Sequence, residues 1–373
     1  MIYPYMAACI QPKVTMCYTR EDIEENLTRC EQLIDFTAGY LWEHPCRLIA
    51  FPEYFLQGVT TPGKGEHGRG SFVNKAVEIP GPEIDRLAQK AKQYNLYIAG
   101  CGIIEADPLF PGYWFNTGIV IDPQGQVLFK YRKYHVPAFI GLGTSPHDIM
   151  DEYREKVGWD LKTLFPVADT EIGKIGVMTC HDGTSPEISR ALAFNGAEII
   201  VRGAALQELE GVSQPWDNWK FTNRARCHDN LVYMVAPNWG EVEYDYYPKT
   251  FCPGHSMILD YHGNIIAEAQ YPGEGVIATR IDIEALRHRR SLIWHNLWAD
   301  LRTEAFRELY AHTIYPPNLF AEGRRPEKLA DKMLGAAGVM QAHYERGTFT
   351  QPSTPGPSLE ERIAEAQKRG LLR

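Results

Sequence analysis

The sequence has no long apolar run and no excess of basic charge, and each absence excludes a class of protein. No stretch approaches the roughly 18 apolar residues that a membrane-spanning helix needs. The formal net charge is −9, whereas binding to nucleic acid phosphates needs a basic face. The first residues also lack the basic start and the apolar core of a secretory signal. We therefore expect a cytoplasmic protein that binds neither nucleic acid nor a membrane.

The sequence also lacks the spacings of cysteine and histidine that indicate disulfide frameworks and metal sites. The eight cysteines are scattered and none belongs to a CxxC pair, which is typical of reduced, mostly buried thiols. The twelve histidines show neither HxxxH nor HExxH spacing. We therefore expect no disulfide framework, no catalytic metal and no cofactor.

Short apolar runs alternate with helix-length amphipathic segments, a pattern typical of a layered α/β fold. The predicted strands cover residues 5–10, 47–51, 96–104, 175–179, 198–201 and 232–236, and the predicted helices include residues 21–42, 186–195 and 216–228. Two segments, residues 118–130 and 256–268, share an aliphatic run, an Asp, a Gly and a second aliphatic run. This is hairpin chemistry, and its repetition predicts an internally duplicated sheet.

Three side chains of different chemistry follow predicted strands. Cys180 comes after an apolar strand and before Pro186, which can open a helix, and open α/β sheets bind ligands at such junctions. Glu53 ends an apolar strand and Lys133 ends the strand in LFKYRKYHVP, and at such positions a charged side chain is either exposed or functional. Together they would supply a base, a cation for an oxyanion and a soft nucleophile. Position alone leaves open that Cys180 is a buried structural thiol and Lys133 a solvated cation.

The motifs that carry these residues resemble those of one known family. FPEYF, KYRKYHVP and MTCHDGTSPE, in this order, are similar to the three signatures of the nitrilase superfamily, and the strand MAACIQP and the segment NGAEIIVR are similar as well. The resemblance covers residues 1–285, and the CHDGxxPE form is most similar to aliphatic amidases and formamidases. It implies a four-layer α-β-β-α sandwich in which Glu53 is the base, Lys133 the oxyanion partner and Cys180 the nucleophile.

The resemblance also implies a second glutamate between the lysine and the cysteine. Amidases carry it shortly after the lysine, but this chain reads AFIGLG at residues 138–143, with no acid. The longer spacing of N-carbamoyl amino acid amidohydrolases falls on Glu152, with Glu155 as the alternative. We therefore expect Glu152 to hold Lys133 charged, unless both acids lie on an exposed helix face.

A further set of residues is expected to contact the substrate. This set comprises Tyr54, His181, Arg202, Asn238 and Trp239. The ring of His181 is poorly placed to accept the proton of the adjacent thiol, but its backbone N–H is placed to donate to an oxyanion. Arg202 is interpreted either as a substrate clamp or as a surface charge. Tyr54, Asn238 and Trp239 follow strand ends, where residues line pockets or pack in their walls.

The resemblance implies hydrolysis of a small amide to a carboxylic acid and ammonia through a thioester on Cys180. An N-carbamoyl amino acid amidohydrolase and a nitrilase are the enzymatic alternatives. Nitrilases commonly carry a tryptophan after the nucleophile, where this chain has His181. A catalytically inert protein of the same fold is the alternative from outside the enzymes.

Residues 286–373 differ in character from the rest of the chain. A basic cluster at residues 287–290 is followed by Trp294 and Trp298 in an amphipathic pattern. We expect a C-terminal extension that packs against a partner subunit in a homodimer or a higher even oligomer. The end from Thr348 is equally compatible with a mobile tail.

Overall fold

The computed structural model describes residues 1–59, 70–137, 143–206, 218–243, 252–325, 329–354 and 356–370. The strands are β1 (Tyr5–Gln11), β2 (Lys13–Thr15), β3 (Cys46–Glu53), β4 (Tyr97–Glu105), β5 (Phe115–Ile121), β6 (Val127–Arg132), β7 (Val167–Thr170), β8 (Gly173–Thr179), β9 (Ile199–Gly203), β10 (Tyr233–Ala236), β11 (Glu241–Glu243), β12 (Met257–Leu259), β13 (Ile265–Glu268) and β14 (Gly275–Ile281). The helices are α1 (Ile23–Tyr40), α2 (Gly70–Val73), α3 (Pro82–Tyr94), α4 (Met150–Lys156), α5 (Leu161–Leu164), α6 (Pro186–Phe194), α7 (Asn218–Asn230), α8 (Ile283–Ser291), α9 (Thr303–Phe306), α10 (Leu329–Glu345) and α11 (Leu359–Lys368). Of the helices in these ranges, none is both long enough and apolar enough to cross a bilayer.

Two six-stranded sheets repeat one topology. Their strand orders are β14-β1-β3-β4-β5-β6 and β13-β12-β10-β9-β8-β7. In each sheet three central strands run parallel, an antiparallel strand flanks them on one side and an antiparallel hairpin on the other. The two hairpins that resemble each other in sequence, β5–β6 and β12–β13, occupy equivalent positions. The predicted duplication of the sheet is therefore present in the fold.

The two sheets pack face to face and are covered by helices on their outer faces. Alternate residues of β1 point to opposite sides, as the pleat of a strand requires. Ala7 and Cys9 join the core between the sheets, whereas Ala8 and Ile10 pack with the helices α1 and α3. On the second sheet, α6 and α7 cover the outer face, where Leu192 and Cys227 are buried. The four-layer α-β-β-α sandwich that the resemblance implied is confirmed.

Part of the C-terminal extension lies against its own chain. Phe320 is buried in an aromatic cluster with Phe110 and Tyr153 of the catalytic region. The backbone of this segment is also paired, since the N–H groups of Asn318 and Phe320 donate to the carbonyl oxygens of His147 and Asp148 at 3.0 and 2.9 Å. The extension is thus fixed beside the turn that precedes α4. The domain boundary near residue 285 and a role of the extension in assembly stay predictions.

Candidate active site

The structure brings Glu53, Lys133 and Cys180 together between the two sheets. Glu53 is the last residue of β3, Lys133 follows β6, and Cys180 follows β8 of the second sheet. The Lys133 ammonium donates to Glu53 Oε1 at 2.6 Å, and both side chains are only 3% exposed. The thiol of Cys180 lies within hydrogen-bonding reach of the Glu53 carboxylate. A buried acid, a buried cation and a thiol therefore meet at one point.

Cys180 differs from the other cysteines in its exposure. All eight thiols lie in described parts of the chain and are free, and seven are buried, whereas Cys180 is partly exposed. Burial of the thiol group and, after it, the Glu53 carboxylate raise its pKa to about 12, although Lys133 and Arg202 act in the opposite direction. At neutral pH Cys180 is therefore a protonated thiol, and it needs a base in contact with it to become a nucleophile.

Lys133 remains an ammonium in spite of its burial. Burial alone would lower its pKa, but the carboxylate of Glu53, followed by Cys180 and Tyr54, outweighs that effect and holds the pKa above its ordinary value. A buried ammonium is stable here because the charge of Glu53 compensates it. The site thus keeps a fixed positive charge beside the nucleophile, where negative charge would develop on a substrate atom.

Cys180 occupies a strained turn that points its thiol away from the strand. Its φ is 51°, in the left-handed region that non-glycine residues rarely adopt, at a cost of about 1–3 kcal/mol. A short 3-10 helix, Cys180–Thr184, begins there. The first N–H groups of a helix have no partner within it, which is compatible with the expected role of the His181 N–H as a donor to an oxyanion.

Asp182 joins the segment of Lys133 to the turn of Cys180. Its buried carboxylate accepts hydrogen bonds from the Tyr131 hydroxyl and the His135 N–H, both at 2.8 Å, and from the Thr179 N–H at 3.2 Å. Tyr131 and His135 lie two residues before and two residues after Lys133. One carboxylate therefore fixes the separation of the cation and the nucleophile. The sequence pointed to Asp182 only as a neighbour of Cys180 and gave no indication of these partners.

Asn116 is a second site residue that the sequence analysis missed. Its side-chain Nδ2 donates to Glu53 Oε1 at 2.7 Å, and its backbone carbonyl oxygen accepts from the backbone N–H of Lys133 at 2.9 Å. Asn116 is fully buried in β5, whose sequence FNTGIVI is otherwise apolar at most positions. The sequence signal that could have revealed Asn116 is a polar side chain within an otherwise mostly apolar strand. Gly102 leaves room for Glu53, because a Cβ at this position would overlap the Glu53 side chain. Its φ of 65° also favours glycine.

Of the expected substrate contacts, Tyr54 lies beside Glu53, Lys133 and Cys180. Burial raises the pKa of its hydroxyl, and Glu53 raises it further, whereas Lys133 lowers it. Trp239 is fully buried and donates from Nε1 to the carbonyl oxygen of Glu53 at 2.7 Å. Asn238 is also buried and bonds to the backbone of Leu206 and Gly254 at 2.9 and 2.7 Å. The contacts of Trp239 and Asn238 favour support of the site over direct contact with a substrate.

Arg202 holds the backbone of the nucleophile. Its Nε and Nη2 donate to the Cys180 carbonyl oxygen at 3.0 and 2.8 Å, and its Nη1 donates to Thr222 and Asn223. The side chain is buried and its guanidinium lies over the ring of Trp219 at 4.7 Å. A surface charge, one of the two interpretations from the sequence, is wrong. All three guanidinium nitrogens are used within the protein, which favours positioning of Cys180 over a substrate clamp.

We predict that Arg202→Met lowers kcat by roughly 10- to 100-fold and changes KM little, because a displaced nucleophile loses its aligned attack geometry. Steady-state kinetics on the best amide, with thermal unfolding measured in parallel, checks this. Arg224→Met is the matched control, because Arg224 lies on α7, the helix that Arg202 contacts, and donates to the Gly263 carbonyl oxygen instead. A rise in KM at unchanged kcat would show that Arg202 is a substrate clamp after all.

The structure does not support the expected role of Glu152. Glu152 lies on α4, and its carboxylate accepts from Lys156 one turn later at 2.7 Å. Among the contacts of the described residues, none joins Glu152 to Lys133, because α4 turns Tyr153 inward and leaves Glu152 half-buried on its flank. Glu155 is exposed. Residues 138–142, where amidases carry their acid, lie outside the described residues.

No cluster of three or more His, Cys, Asp or Glu side chains suited to a metal ion occurs in the described ranges.

The acid nearest in sequence to Glu152 that the structure buries is Asp148, whose Oδ2 accepts from the Ser145 N–H at 2.9 Å. Asp148 was not singled out from the sequence. Its hydrogen bond belongs to the capping of the turn Pro146–Ile149.

The family model of carbon-nitrogen hydrolases matches residues 6–291, which include Glu53, Lys133 and Cys180. The chain therefore belongs to the carbon-nitrogen hydrolase family, and the prediction of membership in the nitrilase superfamily is confirmed. The chain is 32% identical over 238 residues to formamidases of Bacillus cereus (strain Q1) and Bacillus thuringiensis (strain Al Hakam). Each match covers 63% of this chain and 62% of the relative, so it spans less than two thirds of the formamidases.

Solved structures share the fold at lower sequence identity. Nit3 of Saccharomyces cerevisiae, a member of branch 10 of the nitrilase superfamily, matches with a TM-score of 0.59 and 24% identity over 78% of this chain and 94% of that protein. A carbon-nitrogen hydrolase from Helicobacter pylori G27 matches with a TM-score of 0.63 and 20% identity over 83% and 99% of the respective chains. These likenesses establish the fold of the sandwich.

Proposed function

We propose that this protein is an amidase that converts a small amide to a carboxylic acid and ammonia through a thioester on Cys180. The observation that carries the proposal is the buried pair of Glu53 and Lys133 at 2.6 Å, within reach of a partly exposed thiol. A thiol with a contacting base and an adjacent fixed cation is suited to nucleophilic attack on a carbonyl carbon. Similarity to formamidases supports an amide as the substrate.

The first half of the reaction forms the thioester. Glu53 accepts the proton of Cys180 as sulfur attacks the carbonyl carbon, and the carbonyl π electrons move to oxygen. Lys133 and the N–H of His181 stabilise that negative oxygen. The tetrahedral species then collapses, the C–N bond breaks, and Glu53 returns its proton to the departing nitrogen, so that ammonia leaves. Asn116 and Lys133, which bond to the same oxygen of Glu53, keep the carboxylate aimed during both transfers.

The second half of the reaction releases the acid. Glu53 accepts a proton from water as the water oxygen attacks the thioester carbon. The C–S bond then breaks, and the sulfur takes the proton back from Glu53, which regenerates the thiol. One carboxylate serves as base and acid in turn because it returns to the same protonation state after each half. This scheme assigns no proton transfer to Glu152.

The proposal is tested by the products of a substrate panel. We expect ammonia without CO₂ from formamide, acetamide and larger primary amides, and no comparable release from nitriles. Ammonia accompanied by stoichiometric CO₂ from N-carbamoyl amino acids, at a higher kcat/KM than from amides, would indicate the carbamoyl hydrolase instead. An absence of products from the whole panel would favour an inert protein of the same fold.

The proposal includes a homodimer or a higher even homo-oligomer. Exposed apolar side chains on the helices of the second sheet and on the extension support it, since an interface would cover them. They include Phe194, Phe221, Trp294, Leu309 and Tyr310. A monomer by light scattering would contradict this part of the proposal.

A further inference from the structure

We propose that a cavity beside His181 is a subsite for an uncharged hydrogen-bonding group on the acyl part of the substrate. The substrate would then be an amide larger than formamide, with a second amide or a hydroxyl group at its far end. This inference rests on the proposed function and names its substrate class. One wall of the subsite belongs to the C-terminal extension.

The cavity adjoins the catalytic residues along both segments that carry them. Its lining includes His181, the residue after Cys180, and His135, two residues after Lys133. The rings of these two histidines meet edge to face at 6.5 Å. None of Glu53, Lys133 and Cys180 is among the described residues that line the cavity, so an acyl group on Cys180 would reach it by extending past His181.

The size of the cavity exceeds what formamide needs. Its volume is about 370 Å³, which lies within the range of about 300–1,000 Å³ that is usual for small-molecule sites. A water molecule takes about 30 Å³ of liquid, so the cavity offers room for about a dozen non-hydrogen atoms. Formamide has three such atoms and would leave most of the cavity unused.

The chemistry of the lining selects an uncharged polar group. His135, His147 and His181 contribute three imidazoles, and burial lowers the pKa of His147 and His181, so that both are neutral at pH 7. A neutral imidazole offers one donor and one acceptor, which suits an amide or a hydroxyl group. The buried carboxyl group of Asp148 also borders the cavity and disfavours an anionic group. An alkyl group would offer these imidazoles no hydrogen bond.

Tyr315 of the extension also lines the cavity. Its ring packs edge to face on His147 at 5.7 Å. Asn318 and Phe320, which follow it, bond to the backbone of His147 and Asp148 at 3.0 and 2.9 Å. Burial raises the pKa of the Tyr315 hydroxyl to about 12, so it is a donor at neutral pH. The extension is therefore held where its own side chain can contact a bound substrate.

Three amides of equal size test the inference. Succinamide, succinamate and 4-methylpentanamide have the same shape and end in an amide, a carboxylate and an isopropyl group. We expect kcat/KM for succinamide to exceed that of each of the other two by about 10-fold or more, since a site built for hydrogen bonding rejects partners that lack them. Equal values for succinamide and 4-methylpentanamide would overturn the subsite.

Substitutions at Tyr315 test whether the extension forms its wall. We expect Tyr315→Phe, which keeps the ring and its packing, to lower the kcat/KM ratio of succinamide to formamide about 5-fold, and Tyr315→Ala to lower it further. Leu309→Ala is the control, because Leu309 lies on the same extension and is 69% exposed. Amide hydrolysis with an unchanged ratio in both Tyr315 variants would overturn the subsite and leave the amidase standing. A wild-type protein that hydrolyses no amide would overturn both.

Discussion

Cys180→Ala is expected to abolish the release of ammonia from every amide that the wild-type protein hydrolyses, with a loss of at least about 10⁴-fold. Without the sulfur no thioester can form, and the remaining groups offer only the oxyanion contacts and substrate binding. The fold should persist, because Glu53 keeps its hydrogen bonds from Lys133 and Asn116 when the thiol is removed. Ammonia assays and circular dichroism on the purified variant check both statements.

Cys30→Ala is the matched control for this loss. Cys30 is buried on α1, in the core between this helix and the first sheet, and not in the candidate site. Its replacement by alanine removes the same thiol group. It should keep its turnover and lose only a little stability. Mass spectrometry of the wild-type protein with a slow amide should show an acyl adduct on Cys180. Measurable turnover by Cys180→Ala above about one part in 10⁴ would rule out the thioester route.

The layers of the fold could be predicted because their residues leave a local pattern. Central strands such as β3 and β9 are buried on both faces, so they read as continuous apolar runs. The similar sequences of the hairpins β5–β6 and β12–β13 predicted the duplication, because turn residues fix a hairpin locally. The packing of the residues around Phe320 on Tyr113 and Tyr153 had no such signal. It depends on contacts across more than 150 positions of the chain.

The candidate catalytic residues could be picked out for a related reason, and the residues that support them could not. A charge or thiol at the end of a buried strand is conspicuous in any sequence, and the resemblance to the family motifs then singled out Glu53, Lys133 and Cys180. Asn116 and Asp182 act through partners on other strands, and only the pairing of those strands reveals them. Glu152 pairs with Lys156 in the structure, and no contact among the described residues joins it to Lys133, because spacing along a chain does not decide which way a helix turns its side chains.

Glu53→Gln is expected to lower turnover by at least about 10²-fold, within the range of general acid–base effects, because the amide can neither accept nor return a proton. The same substitution should make the Cys180 thiol easier to ionise. The Glu53 carboxylate raises the pKa of Cys180, whereas Lys133 and Arg202 lower it. When the anion is removed, the two cations remain, so the pKa of Cys180 falls and more thiolate is present at any given pH.

Alkylation by iodoacetamide reports this change directly, because the thiolate is the reacting form. Each unit by which the pKa falls increases the thiolate about tenfold and decreases its intrinsic reactivity about threefold, so labelling at pH 9 should become about threefold faster per unit. Glu171→Gln, an 80% exposed acid at the edge of the second sheet, should change neither rate. Slower turnover combined with faster labelling separates loss of the base from general damage to the site, which would slow both reactions. If labelling and turnover fall together, Glu53 supports the structure of the pocket and another group takes the proton of Cys180.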